Sequence, residues 1–194
     1  MKSIKLFVIV IAVLTVSSIA EGRTRFSQEQ LDSIAIRLAE RIENNAWSLF
    51  PTEFNSSNNA RVEFIDTRDN HISVAEDNIA IYLNFMGARI VPMASSPHDK
   101  GRSLVNAAVA VQRNGSFPNY VKTIGTITEK KVSIGRKSKS VTAEFTYVIE
   151  DTNLNLTHST ARVTLYVDTT DSNARLVFYN MNMDGTLYGT ITLL

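Results

Sequence analysis

The sequence predicts an α+β protein, mainly an antiparallel β-sheet or sandwich with one N-terminal amphipathic helix packed on it. Three observations carry that prediction. Residues 27–43 repeat their apolar side chains at helical spacing, and most of the chain beyond Trp47 alternates apolar and polar residues between polar turns. Between them, residues 78–93 form the most apolar and regular run outside the leader. There Ile79, Ile81, Leu83 and Phe85 fall on one face, and Ala80, Tyr82, Asn84 and Met86 on the other, as in an extended chain.

Before any of this comes a leader. Lys2 and Lys5 make a short positive stretch, and residues 4–16 are apolar apart from Lys5 and Thr15. Ser18-Ile19-Ala20 then puts small residues three and one before a cut ahead of Glu21. Residues 1–20 read as a signal peptide and 21–194 as a single β-rich domain. The apolar run is shorter than the roughly 20 residues a spanning helix needs, so the mature chain is expected to carry no transmembrane segment. The chain has no cysteine, so disulfides, thiolate metal ligands, a cysteine nucleophile and a lipoprotein anchor are all ruled out. Loss of the leader removes Lys2 and Lys5 and leaves 18 basic residues against 19 acidic ones. That balance points away from nucleic acid.

The helix is predicted from Ser27, because Ser27 and Gln30 match a capping box whose side chains satisfy free amides at a helix start. Leu31, Ile34, Ala35, Leu38 and Ile42 give one apolar stripe, and Asn44-Asn45 ends it. Residues 47–54 read as a first strand broken by Pro51, residues 61–66 and 72–74 as short antiparallel strands, and 76–78 as a turn into the apolar strand. Gly87 interrupts that strand and Pro92 removes a backbone donor, so pairing is expected to weaken there. Residues 92–120 are the least regular part, with Pro92, Pro97 and Pro118 and a small apolar run over 104–111 that fits either a strand or a short helix. Residues 121–128 and 132–135 are β-like, Val141 to Ile149 and Ala161 to Val167 alternate cleanly, and 168–173 is a polar turn. Asp184-Gly185 predicts a two-residue hairpin turn. That turn sets Met183 against Thr186, Met181 against Tyr188, Phe178 against Ile191 and Leu176 against Leu193. Leu176, Phe178, Ile191 and Leu193 then form a core face, with Tyr179, Met181 and Tyr188 on the opposite one.

Chemical signatures are sparse. His71, His98 and His158 have no second ligand at metal spacing, and neither a nucleophile elbow nor a phosphate loop occurs. Neither a catalytic residue nor a metal site nor a cofactor is predicted. Asp99 beside His98 is the nearest approach to a catalytic pair, and Glu144, Glu150, Asp151 and Asp168 are carboxylates on or beside strands. Lys130, Lys131, Arg136, Lys137 and Lys139 cluster on a predicted hairpin tip without the aromatics that nucleic-acid stacking needs.

The polar turn before Asn78, the strand Asn78-Ile79-Ala80-Ile81-Tyr82-Leu83-Asn84-Phe85-Met86-Gly87-Ala88-Arg89 and the following Val91-Pro92-Met93 together resemble a domain of unknown function. That family is frequent in small exported proteins of the Bacteroidetes. Its members combine a signal peptide, an N-terminal helix, a tyrosine-leucine-proline-tyrosine-like strand running into a glycine, and a closing strand with tyrosine and glycine. Asn84 stands here for the usual proline and Phe85 for the second aromatic, while Tyr188-Gly189 fits the closing strand. The resemblance implies an α+β fold and an exported location, and it carries over no activity and no site residue.

The expected function is that of an exported envelope protein, in the periplasm or outside the cell. It is read as a non-catalytic module for an unidentified ligand or envelope protein. His98, Asp99 and Arg102 in the irregular loop, and Tyr179, Met181 and Tyr188 on the last hairpin, are the candidate binding residues. Two alternatives stand beside it: an envelope hydrolase whose carboxylates are brought together by the fold, and a structural protein that self-assembles through strand edges.

Overall fold

The computed structural model describes residues 26–56, 60–65, 68–86, 88–92, 119–155, 158–179 and 185–194. The leader, the run 104–111 and the candidate residues His98, Asp99, Arg102 and Met181 lie outside them. The helix α1 (Gln28–Glu43) is followed by ten strands: β1 (Ala46–Ser56), β2 (Ala60–Glu63), β3 (His71–Ala75), β4 (Asn78–Asn84), β5 (Arg89–Pro92), β6 (Tyr120–Ile134), β7 (Ser140–Thr152), β8 (Thr160–Asp168), β9 (Asn173–Tyr179) and β10 (Gly185–Leu193).

The β-layer closes on itself. Strands run in the order β10-β9-β8-β7-β6-β4-β3-β1, and β1 pairs again with β10, so eight antiparallel strands form a barrel where an open sheet or sandwich was expected. Closure needs sharp bends, and glycine supplies them at two register shifts. A Cβ on Gly189 would stand 2.2 Å from the Phe50 carbonyl oxygen, beside the shift between Pro51 and Glu53. A Cβ on Gly125 would stand 2.4 Å from the Val148 carbonyl oxygen, at the shift between Ile124 and Gly125. Pro51 therefore does not break the first strand: β1 runs on through it with a bulge.

One edge of β1 serves two partners in turn. Ala46 to Leu49 pair with β3, and Glu53 to Asn55 pair with β2. The strand expected across 78–93 divides in the same way: β4 pairs with β3 and β6, whereas β5 pairs with β2. Phe85 fills the break between β4 and β5, its ring 6.0 Å from Phe54 and 5.4 Å from Phe64. The two β-like runs over 121–135 merge into the single strand β6, with a second shift between Ile127 and Glu129.

Inside, the period of two brings apolar residues from every strand of the barrel together. Trp47, Phe54, Phe145, Tyr147, Leu165, Phe178 and Leu187 are buried, and Trp47 packs on Phe145 with ring centroids 5.7 Å apart. Burial raises the proton affinity of the Tyr147 phenol. Leu31, Ala35, Leu38 and Ile42 of α1 join this core, and each large side chain so buried contributes about 1.5–3 kcal/mol. The capping box forms as predicted: Ser27 Oγ accepts from Gln30 N at 3.2 Å and Gln30 Oε1 from Ser27 N at 2.9 Å.

Polar ties fix both ends of the helix. Ser138 Oγ donates to Asp32 at 2.5 Å, and Gln28 donates to Asp32 and to the Lys137 carbonyl. The hydrogen bond from Ser138, then that from Gln28, holds the Asp32 carboxyl below its ordinary value. At the other end Lys130 Nζ donates to the Glu43 carbonyl and to Asn45 Oδ1, and Arg41 donates to the Leu194 carbonyl at 2.8 Å. The basic cluster predicted on the β6–β7 tip is thus divided, since Lys130 caps the helix C-terminus.

Candidate functional site

With these side chains filling the barrel, binding chemistry has to be sought on its outer walls. On β8 and β9 the sequence repeats itself: Arg162-Val-Thr-Leu-Tyr166 and Arg175-Leu-Val-Phe-Tyr179 are both Arg-x-x-x-Tyr. A spacing of four puts the arginine and tyrosine of each segment on the same face. The antiparallel register sets Arg162 against Tyr179, Thr164 against Val177 and Tyr166 against Arg175, so each arginine meets the tyrosine of the other segment. The Arg162 guanidinium lies 4.8 Å from the Tyr179 ring centre, and that of Arg175 lies 4.3 Å from the Tyr166 ring centre.

Stacking orders a guanidinium without using its five N–H donors. Among the described residues neither Arg162 nor Arg175 forms an ion pair, whereas Arg61 and Arg89 both pair with Glu63. Tyr188 on β10 continues the row beyond Arg175 and is 38% exposed. Ser140, Tyr166, Asp168, Asn173, Arg175 and Tyr188 line an open depression of about 300 Å³ beside the second stack. It contains a single carboxylate, that of Asp168, which accepts from Thr170 N at 2.7 Å and Thr170 Oγ1 at 2.5 Å. The paired carboxylates of the hydrolase alternative, about 5–9 Å apart across a cleft, are not among its lining residues.

The last hairpin differs from its sequence register. Gly185 lies against Phe178, Leu187 against Leu176 and Tyr188 against Arg175, so Leu187 takes the place expected for Leu193 opposite Leu176. Tyr188 faces Arg175, not Met181. The displacement is an even number of residues, so faces are kept: Leu176, Phe178 and Ile191 are buried, and Tyr179 and Tyr188 lie on the outer face. Leu193 is 40% exposed near the barrel end.

Of the predicted site residues, then, Tyr179 and Tyr188 share one wall, although Tyr188 sits across from Arg175 and Tyr179 across from Arg162. His71 stacks on Tyr82 at 4.9 Å on another wall, and the described residues include no cluster of three metal-ligating side chains. The reading of the sequence missed Arg162, Tyr166 and Arg175. Their signal was present as the repeated Arg-x-x-x-Tyr on two consecutive β-runs.

The molecule is a small antiparallel β-barrel with one packed helix and an arginine and tyrosine wall. It is similar in structure to a DUF4251 family protein from Bacteroides eggerthii, with a TM-score of 0.47 and 13% identity over 86% of this chain and 92% of that one. No family profile matches the chain, and no curated protein sequence matches it.

Proposed function

We propose that the chain is an exported, non-catalytic binding module of the bacterial envelope, working in the periplasm or beyond, and that it engages its ligand or protein partner on the outer face of β8, β9 and β10. Export is supported by the leader pattern of Lys2, Lys5, the apolar stretch and Ser18-Ile19-Ala20. The observation that carries the binding reading is the pair of guanidinium groups, each held against a tyrosine with its donors uncommitted among the described residues, on the outside of a barrel packed with buried side chains. Arginine and tyrosine are the side chains most often found at binding hot spots. Native mass spectrometry of the protein recovered undenatured from its own host tests this. A species of chain plus ligand or partner mass is expected, beginning at Glu21, and it is lost in the Arg162→Ala, Arg175→Ala double variant. A bare chain in every preparation would sink the proposal.

A further inference from the structure

Resting on that binding reading, we infer that the ligand is an extended acidic polysaccharide lying across the β8–β9 wall, its carboxylates taken by Arg162 and Arg175. The two stacks are equivalent by construction. The repeated pentapeptide and the antiparallel register relate Arg162 to Arg175 and Tyr166 to Tyr179 by a local two-fold axis through the Thr164–Val177 pair. Four strand residues, about 13 Å, separate the two rows. Between them the floor is made of the short side chains of Thr164, which is buried, and Val177, which is half-buried. Thr142 and Thr146 on β7 and Thr186 on β10 stand beside it, and the exposed Glu144 lies directly across from Thr164.

Two arginine subsites about 13 Å apart along the strands, with threonine hydroxyls beside them, suit a linear polymer that repeats its acid groups and presents hydroxyls between them. A guanidinium whose plane is fixed by stacking offers a carboxylate two parallel N–H donors. Of the nearby carboxylates, Glu53 pairs with Arg61 at 3.7 Å and Asp168 accepts from Thr170, while Glu144 stands opposite Lys131 in the register without an ion pair among the described residues. An acidic peptide fits less well. An extended peptide gains its affinity from main-chain bonds along a sheet edge, and this site is the face of inner strands paired on both sides.

The test is isothermal titration of the mature chain, residues 21–194, with oligogalacturonate and with its fully methyl-esterified form, at physiological salt. Binding of the acid form is expected, with the ester at least about tenfold weaker, since a charge-assisted hydrogen bond is lost at each subsite. Arg162→Ala and Arg175→Ala each weaken the acid form about tenfold. The double Arg→Lys variant does not restore it, because an ammonium lacks the planar fork. Arg136→Ala with Lys137→Ala, on the hairpin tip, leaves affinity unchanged. Circular dichroism confirms that each variant is folded. Equal affinity for acid and ester, equal binding of polyglutamate, or equal loss in the hairpin-tip variant would each overturn the inference. Failure to bind oligogalacturonate while the native mass adduct persists overturns the inference alone, whereas a bare native mass removes the binding reading beneath it.

Discussion

Two walls of the barrel carry the same kinds of side chain and use them differently. On the β3–β4–β6 wall, His71, Tyr82 and Lys122 stand in one cross-strand row, and Lys122 closes on Asp151 at 2.5 Å. On the β8–β9 wall the cations are arginines, and each is stacked on a tyrosine with no carboxylate paired to it among the described residues. A cation that has an acid on the next strand is spent on the fold. A cation ordered by an aromatic ring keeps its hydrogen-bond donors for something else.

The contrast depends on β10 seating against β1, so the largest effect is expected at Gly189. Gly189→Val drives a side chain into the Phe50 carbonyl and should destabilise the protein by about 1–3 kcal/mol, the usual range for overpacking. Urea unfolding measures the loss. Hydrogen exchange should show β9 and β10 losing protection ahead of β3 and β4; uniform loss would mean that the walls are not separable. Next come Tyr166→Ala and Tyr179→Ala. Each removes one stack, for about 0.5–1 kcal/mol beyond the lost burial, and each should abolish binding at its own subsite. The two arginine variants, Arg162→Ala and Arg175→Ala, should change stability less than the tyrosine variants do, since the arginines are exposed.

The smallest effect belongs to the other wall and depends on pH. The hydrogen bond from Lys122 to Asp151, then the charge of Asp151, raises the Lys122 pKa above its ordinary 10.5. Its contribution is therefore complete below pH 10.5 and lost as pH rises through the raised folded value. The melting-temperature difference between wild type and Lys122→Ala should be small, constant through neutral pH, and vanish at strongly alkaline pH. A difference that grew with pH would mean the pair does not hold Lys122 protonated.

Local chemistry explains which parts were legible. The capping box at Ser27 and the stripe of Leu31, Ile34, Ala35, Leu38 and Ile42 act within one helix, and they fold as read except that Ile34 is only half-buried. So does the alternation of Ile79, Ile81 and Leu83, because any barrel or sheet buries that face. The last hairpin was misread because Asp184-Gly185 is only a local preference. β10 is paired on both sides, and its second partner, β1, comes from the other end of the chain. Gly185 is held there against the Phe54 ring, where an added Cβ would lie 2.5 Å away, and that contact has no trace in the hairpin's own residues. Barrel closure was hidden for the same reason, since it rests on one long-range pairing and two glycine bends. The arginine and tyrosine wall was legible in principle. Its repeat shows in the sequence, while the crossing of each arginine onto the other segment's tyrosine needs the register.

The seam between β1 and β10 joins Trp47 to Leu193 and Ser56 to Gly185, nearly the full span of the described chain. Loop closure over such separations is slow, and this edge of β1 has no partner until β10 exists. Every earlier strand can pair with a neighbour before β10 exists, yet the ring shuts only when β10 reaches β1. β10 thus sets the time at which this barrel becomes a closed body.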